Sequence, residues 1–262
     1  MSVLGNIRID LAERFQHLPH APIVEAVIDV RARAKVSWEE EAIQAQIKAQ
    51  LPDYPQADSH REFRHEVKMA PGQEPQQTLL DLGWKGLRLR SSDKLHIAQF
   101  NRDGFVFSRL EPYQSWKQLY DESMRLWRMY VELAQPVEIH RIGLRFINRI
   151  QLPPGESGLE DYMEPAPVPP RGLDLPFCGF MHQDTLVVPD YPYTINVIRT
   201  IQPPPSAPGS AGLGLILDID VFTTQGFELN EALLEQRLLE MRWLKNKVFF
   251  GSVTQKALEL FK

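Results

Sequence analysis

The chain repeats one succession of secondary-structure patterns in its two halves. The first half opens with a strand-like segment at residues 22–30, in which apolar side chains alternate, and ends with an amphipathic helical segment at residues 116–133. The second half opens with a strand-like segment at residues 141–148 and ends with a helical segment at residues 233–249. Because an internal repeat constrains the whole architecture, it takes precedence over any single motif.

The repeat predicts an α+β protein with two pseudo-repeated halves, residues 1–135 and residues 136–262. Each half contains a strand, a helix, an antiparallel meander and a closing helix, although the first helix of the second half is reduced. A one-sided sheet must bury its apolar face, and we expect the helices to cover it. We also expect the two halves to join into one continuous, saddle-like sheet backed by helices.

Short motifs predict where several elements begin. Capping-box spacing places helix starts at Ser37 and at Ser115, and a further capping box at Ser252 predicts a short terminal helix. Asn230 is expected to cap the helix that closes the second half. The Asp-Gly dipeptide at residues 103–104 predicts a tight hairpin between two strands.

Composition limits the protein class and the compartment. The net charge of -5 argues against a dominant electrostatic contact with nucleic acid or an anionic membrane, and 43% hydrophobic residues indicate a globular chain. The single cysteine, Cys178, excludes an intramolecular disulfide and is interpreted as an ordinary half-buried thiol. Residues 1–8 lack a signal-peptide core, and no apolar run reaches the roughly 20 residues of a membrane helix. We therefore expect a cytoplasmic protein without membrane contact, metal or cofactor.

The strand that opens the second half carries three arginines on one face. With a side-chain period of two, Arg141, Arg145 and Arg149 share a side, and the apolar residues between them are expected to face the helices. Guanidinium groups bind phosphates or carboxylates through paired hydrogen bonds. The opening strand of the first half carries Glu25 and Asp29, so pairing of the two strands would match acids with arginines. The arginines are therefore either a structural joint or a ligand site.

A ligand site between the halves would combine these arginines with neighbouring polar residues. Asp218 lies two residues from Asp220 on a later strand. Two carboxylates on one face could hold a hard cation, but no further spaced carboxylates lie nearby in the sequence, which favours a solvated polar face. This alternative describes the chain as a small-ligand-binding protein or an enzyme. Its ligand-binding residues are Arg141, Arg145, Asn148, Arg149 and Asp218.

A nucleic-acid interface on the open face of the sheet is another alternative. Trp84 lies between two glycines and beside basic residues, and an aromatic ring in basic surroundings can stack on a base of a single strand. Packing in the core is the ordinary alternative for this indole. The nucleic-acid-binding residues would be Arg31, Arg33, Trp84, Lys85, Arg88 and Arg90.

Three segments carry a family resemblance: PIVEAV at residues 22–27, RIGLRFINRI at residues 141–150 and SVTQKAL at residues 252–258. Together they resemble a sporadically distributed family of uncharacterised bacterial proteins. The resemblance spans the full length and implies a bacterial gene in mobile or defence neighbourhoods, but it implies no activity and no catalytic residues. In architecture alone, two fused halves are similar to the TATA-binding protein.

The sequence shows no convergent set of acid, base and nucleophile. We therefore expect a non-catalytic binding or interaction protein of the bacterial cytoplasm, serving a defence or toxin-control system. The expected partner is another protein. Nucleic acid stays open as an alternative partner, and a homodimer is compatible with the same features.

Overall fold

The computed structural model describes residues 7–69, 76–153, 158–172, 179–202 and 213–262. Its strands are β1 (Ile23–Arg31), β2 (Gln56–Lys68), β3 (Gln76–Arg90), β4 (His96–Asn101), β5 (Gly104–Leu110), β6 (Glu138–Ile139), β7 (Arg141–Gln151), β8 (Met181–Val187), β9 (Thr194–Gln202), β10 (Gly214–Thr223) and β11 (Phe227–Glu228). Its helices are α1 (Glu40–Gln50), α2 (Trp116–Ala134), α3 (Glu231–Ser252) and α4 (Gln255–Glu259), with a 3₁₀ turn at Leu159–Asp161. No helix within these ranges is long and apolar enough to span a membrane.

Nine of these strands form one antiparallel sheet, in the order β2-β3-β4-β5-β1-β7-β10-β9-β8. Every pairing in it is antiparallel. Strands β6 and β11 form a separate two-stranded sheet. The expected α+β class with a large antiparallel sheet is therefore confirmed, and the sheet continues from the strands of the first half into those of the second.

The two opening strands, β1 and β7, lie side by side in the middle of this sheet. Their antiparallel register places Val27 opposite Arg145 and Asp29 opposite Gly143. The predicted pairing of the opening strands is confirmed. The outer neighbours are β5 on one side and β10 on the other, so residues far apart in the chain meet across four adjacent strands.

The two faces of the sheet differ because side chains alternate along each strand. On the central strand β7, Ile142, Leu144 and Phe146 are fully buried, whereas Arg145 and Arg149 are exposed. The buried side packs against the helices: Trp127 and Tyr130 of α2 contact core aromatic rings, and α3 covers β7 and β10. We call the other side, which carries Arg145 and Arg149, the outer face.

Side-chain caps mark the starts of three of the four described α-helices. Ser115 accepts a hydrogen bond from the Gln118 amide at 3.2 Å, and Asn230 accepts one from the Leu233 amide at 3.0 Å, so both predicted caps are confirmed. The predicted start at Ser37 is wrong, because α1 begins only at Glu40 and lacks a side-chain cap. Glu39, the residue before α1, is extended, and the Trp38 indole donates to the Leu133 carbonyl of α2 at 3.2 Å.

The predicted start of the terminal helix at Ser252 is also wrong. Helix α3 continues through Ser252, and Thr254 caps α4 by accepting a hydrogen bond from the Ala257 amide at 3.2 Å. The hairpin predicted at residues 103–104 is confirmed, with Asn101 opposite Gly104. Cys178 and the proline-rich segment at residues 203–208 lie outside the described residues.

Candidate functional site

The predicted arginine site on the outer face is a network of ion pairs. Arg141 on β7 donates to Asp29 on β1, across the joint between the two opening strands. The Arg141 side chain lies across Gly143, where an added Cβ would come within 2.8 Å of its Nη1. Arg141 also lies 3.7 Å from Asp220 on β10. The expected match of an acid with an arginine across the joint is therefore present.

The other two arginines also have acidic partners. Arg145 donates from Nε to Asp218 Oδ1 at 2.8 Å, and this hydrogen bond raises the pKa of Arg145. Arg149 donates to the two oxygens of Glu111 at 3.1 and 3.2 Å. Because each guanidinium already faces a carboxylate, the outer face offers little free positive charge to an anionic ligand.

The structure does not bring Asn148 together with the arginines. Asn148 has the opposite side-chain parity from Arg145 on β7, and it lies buried on the helix-covered side. Its amide donates to the carbonyl of Leu217 at 2.9 Å and to that of Phe146 at 3.3 Å. The prediction that Asn148 shares one site with Arg145 and Asp218 is therefore wrong, because Asn148 and Arg145 lie on opposite faces of the sheet.

The residues predicted to bind nucleic acid also lie on both faces of the sheet. Trp84 packs on the helix-covered side, with its ring 6.4 Å from that of Trp38, and so does not present a stacking surface beside Arg88. Arg88 alternates with the buried Leu87 and Leu89 and lies on the outer face. Lys85 and Arg90 are half-buried, and Arg33 is exposed beyond the end of β1.

Arg31 belongs to the ion-pair network of the outer face. It lies 2.9 Å from Asp29, and it donates to Asp103 in the β4–β5 turn at 3.0 Å. Lys85 lies 3.9 Å from Glu62. These acidic neighbours reduce the positive potential that a phosphate backbone requires.

A second site, which the sequence did not reveal, is a cavity of about 610 Å³ on the helix-covered side. Its walls come from the segment before β1 (residues 11–22, here called the leader) with Ile23 of β1, from residues 113–117 at and just before the start of α2, and from one face of α3. The buried Asn148 of β7 also lines it. The cavity thus lies where elements from the beginning, middle and end of the chain meet.

Helical spacing aims one stripe of α3 into this cavity. Leu239, Arg242, Asn246 and Phe249 follow one another at intervals of three or four residues and all line the wall. Arg242 lies over the ring of Trp116, with its Cζ 5.3 Å from the ring centre. Burial lowers the pKa of Arg242, but a guanidinium keeps its proton in proteins.

Lys245 is a buried lysine that lines the same cavity. Its side chain has only 9% of its surface exposed, and its Nζ lies 4.1 Å from the centre of the Phe146 ring. Among the described residues, no carboxylate lies within ion-pair distance of this amine. Burial, helped by the nearby positive charge of Arg242, lowers the pKa of Lys245 to about 7. At neutral pH a large share of its amine is therefore unprotonated.

The leader is held against α3 by its acidic residue. Glu13 accepts a hydrogen bond from the Trp243 indole at 2.8 Å and another from Lys247 Nζ at 2.6 Å. Phe15 stacks on Phe250 with ring centres 5.6 Å apart. Glu13 is the one acidic residue among those that line the described cavity, and its carboxylate is already engaged.

The charge of the cavity is therefore positive. Its basic lining residues are Arg14, Lys117, Arg242 and Lys245, and its aromatic ones are Phe15, Tyr113, Trp116, Trp243, Phe249 and Phe250. A wall of this kind suits an anionic group on an apolar or aromatic body. In the described ranges, no group of three or more His, Cys, Asp or Glu side chains is arranged to hold a metal ion.

One sequence signal for this site was present. On α3, Leu234, Leu238, Met241 and Lys245 follow the spacing of a buried helical stripe, and the lysine occupies a position where that stripe calls for an apolar residue.

No family model, curated protein or solved structure matches the chain.

Proposed function

We propose that the protein binds a small organic anion in the cavity between the leader and α3. This corresponds to the small-ligand alternative of the sequence analysis, with a different set of residues. The observation that carries the proposal is the half-buried Arg242 next to the buried Lys245, two basic side chains that line an aromatic cavity and have no carboxylate partner among the described residues. Buried charges in proteins are normally paired, and an anionic ligand would supply the missing partner.

The wall also limits the chemistry of the ligand. Arg242 is held by Trp116, so its guanidinium presents hydrogen-bond donors in a fixed plane, as carboxylate, sulfonate and phosphate groups require. The surrounding rings favour an apolar or aromatic body next to that group. We therefore propose an aromatic or branched aliphatic anion as the ligand class.

Fluorescence titration with anilinonaphthalene sulfonate, an aromatic anion, tests this proposal. We expect saturable binding of one probe per chain, weakened at least about tenfold in Arg242→Met, because a hydrogen bond to a charged group contributes roughly 1.5–3 kcal/mol. Phe63→Ser, which removes an exposed ring on β2 far from the cavity, is the control and should bind like the wild type. Equal affinity of Arg242→Met and wild type would overturn the proposal.

A second candidate function, association with another copy of this chain, is favoured by the ribbon of β2 and β3. Beyond the part of β3 that pairs with β4, the ribbon exposes Phe63 and Leu79 by 53% and 67%. Strand β2 is an edge of the sheet, and its Arg61, Glu62, Arg64 and Glu66 alternate in sign. An antiparallel second copy of β2 would set Arg61 against Glu66 and would complete the edge.

Light scattering after size-exclusion chromatography tests this association. We expect a dimer whose mass falls towards that of the monomer in Phe63→Ser. Val168→Ser removes an apolar side chain that is 84% exposed elsewhere, and it should leave the mass unchanged. A wild-type protein that is monomeric over the accessible concentration range would contradict the candidate.

We also propose that the halves derive from one duplicated unit and form a saddle. Support comes from the strand order, in which β5, β4 and β3 follow β1 outwards, as β10, β9 and β8 follow β7.

Four statements of the sequence analysis stay predictions: the domain boundary near residue 135, the bacterial family, the defence context and the cytoplasmic location. The nucleic-acid alternative has less support, since Arg141 and Arg145 on the outer face are paired with carboxylates and Trp84 packs inward.

A further inference from the structure

Lys245 differs from the other basic residues of the cavity in its depth. Lys117 and Arg14 are exposed, whereas Lys245 reaches its position from the buried stripe of α3 and ends against Phe146. Tyr113 packs edge-on against the same ring, with centres 5.8 Å apart. A protonated amine at such a depth loses hydration, and the ring returns only part of that loss. An unprotonated amine avoids the loss and carries a free electron pair.

We propose that Lys245 is a nucleophilic amine that forms a reversible imine with an aldehyde or ketone group of the bound anion. The inference rests on the proposed function and narrows the ligand class to carbonyl-bearing organic anions. Lysines that act in this way are desolvated in apolar pockets or lie beside another cation, and Lys245 meets both conditions.

The reaction balances without any further reagent. The electron pair of Nζ attacks the carbonyl carbon, the carbon–oxygen π bond opens, and a proton passes from nitrogen to oxygen to give a carbinolamine. Departure of the hydroxyl as water, with loss of the remaining nitrogen proton, leaves a carbon–nitrogen double bond. Addition of water reverses both steps and releases the ligand.

Arg242 would orient the ligand for this attack. Residues 242 and 245 are three apart on α3, so their side chains leave the helix on neighbouring sides of one face. The guanidinium would hold the anionic group while the carbonyl faces the amine. Arg242 is thus a positioning residue, and Lys245 is the group that reacts. The remaining charged or titratable lining groups come from the leader and the start of α2: Glu13, Arg14, His17, Tyr113 and Lys117.

Reductive trapping with para-formylbenzoate and cyanoborohydride tests the inference. Hydride reduces the imine to a stable secondary amine, which peptide mapping by mass spectrometry locates. We expect labelling of Lys245 ahead of the other lysines, with a rate that rises through about pH 7, the lowered pKa of its amine. The exposed Lys117 is the internal control, and it should be labelled more slowly than Lys245 at neutral pH. Lys245→Met should remove the fast-labelled site.

A carbonyl-free analogue separates this inference from the proposed function. The matched alcohol, para-(hydroxymethyl)benzoate, should displace anilinonaphthalene sulfonate from wild-type protein without forming an adduct. Displacement by both benzoates, with Lys245 labelled no faster than Lys117, would overturn the imine and leave anion binding intact. Failure of both benzoates to displace the sulfonate, together with absent labelling of Lys245, would overturn both.

Discussion

The amine of Lys245 lies 4.1 Å from the centre of the Phe146 ring, on the side of the sheet that α3 covers. The contact joins the last long helix to the strand that opens the second half of the chain. It leaves a lysine in the core of a sheet protein with an aromatic ring instead of a carboxylate as its neighbour.

Stability should depend on pH through Lys245. Burial holds the pKa of the folded state near 7, below the roughly 10.4 of the unfolded chain, so the unfolded chain binds more protons between these values. The free energy of unfolding of the wild type should therefore rise by about 2 kcal/mol between about pH 7 and about pH 9, relative to Lys245→Met. Chemical denaturation at several pH values measures this difference, and Lys117→Met is the control. A parallel pH profile of wild type and Lys245→Met would refute the prediction.

The joint between β1 and β7 should depend on Asp29. Asn at this position keeps the size of the side chain but removes the charge that faces Arg141 and Arg31, so Asp29→Asn should lower the free energy of unfolding by about 1–3 kcal/mol. Glu25→Gln removes a carboxylate from the same face of β1 and should cost no more than about 0.5 kcal/mol. Urea denaturation of both variants measures the two losses. Equal losses would show that Asp29 has no special role at the joint.

The leader should loosen when Glu13 loses its charge. Glu13→Gln weakens the hydrogen bonds to Trp243 and Lys247, and a loss of about 1 kcal/mol in local stability raises the open population about fivefold. Trypsin cleavage after Arg14 should accelerate by the same factor. Gln16→Ala changes an exposed side chain of the same segment and serves as the control. A cleavage rate that does not respond to Glu13→Gln would mean that other contacts hold the leader.

The fold followed from the sequence where local rules apply. Alternation along residues 22–30 and 141–148 identifies the buried side of β1 and β7, and acids in one with arginines in the other indicate that the strands pair. The prediction of a helix start at Ser37 is wrong because a contact with a distant element intervenes. The Trp38 indole donates a hydrogen bond to the Leu133 carbonyl of α2. A capping motif contains no information about such a contact.

The cavity lay beyond sequence reasoning for a related reason. The three segments that form its walls are each about a hundred residues apart in the chain. The periodicity of α3 does not indicate which side of this helix contacts the leader. Asn148 shows the same limit. Alternation along β7 predicts which face of the sheet its side chain lies on, but the sequence does not predict which residues it contacts there. The local sequence signal for the cavity was Lys245, a charged residue within an apolar helical stripe.

The central claim is that this cavity selects negative charge. The most direct test is the ratio of two dissociation constants, one for anilinonaphthalene sulfonate and one for phenylnaphthylamine, the neutral probe with the same rings. We expect wild-type protein to bind the sulfonate at least about tenfold more tightly than phenylnaphthylamine, and Arg242→Met to reduce this ratio to near unity. Equal binding of both probes by the wild type, or a preference that survives in Arg242→Met, would contradict it.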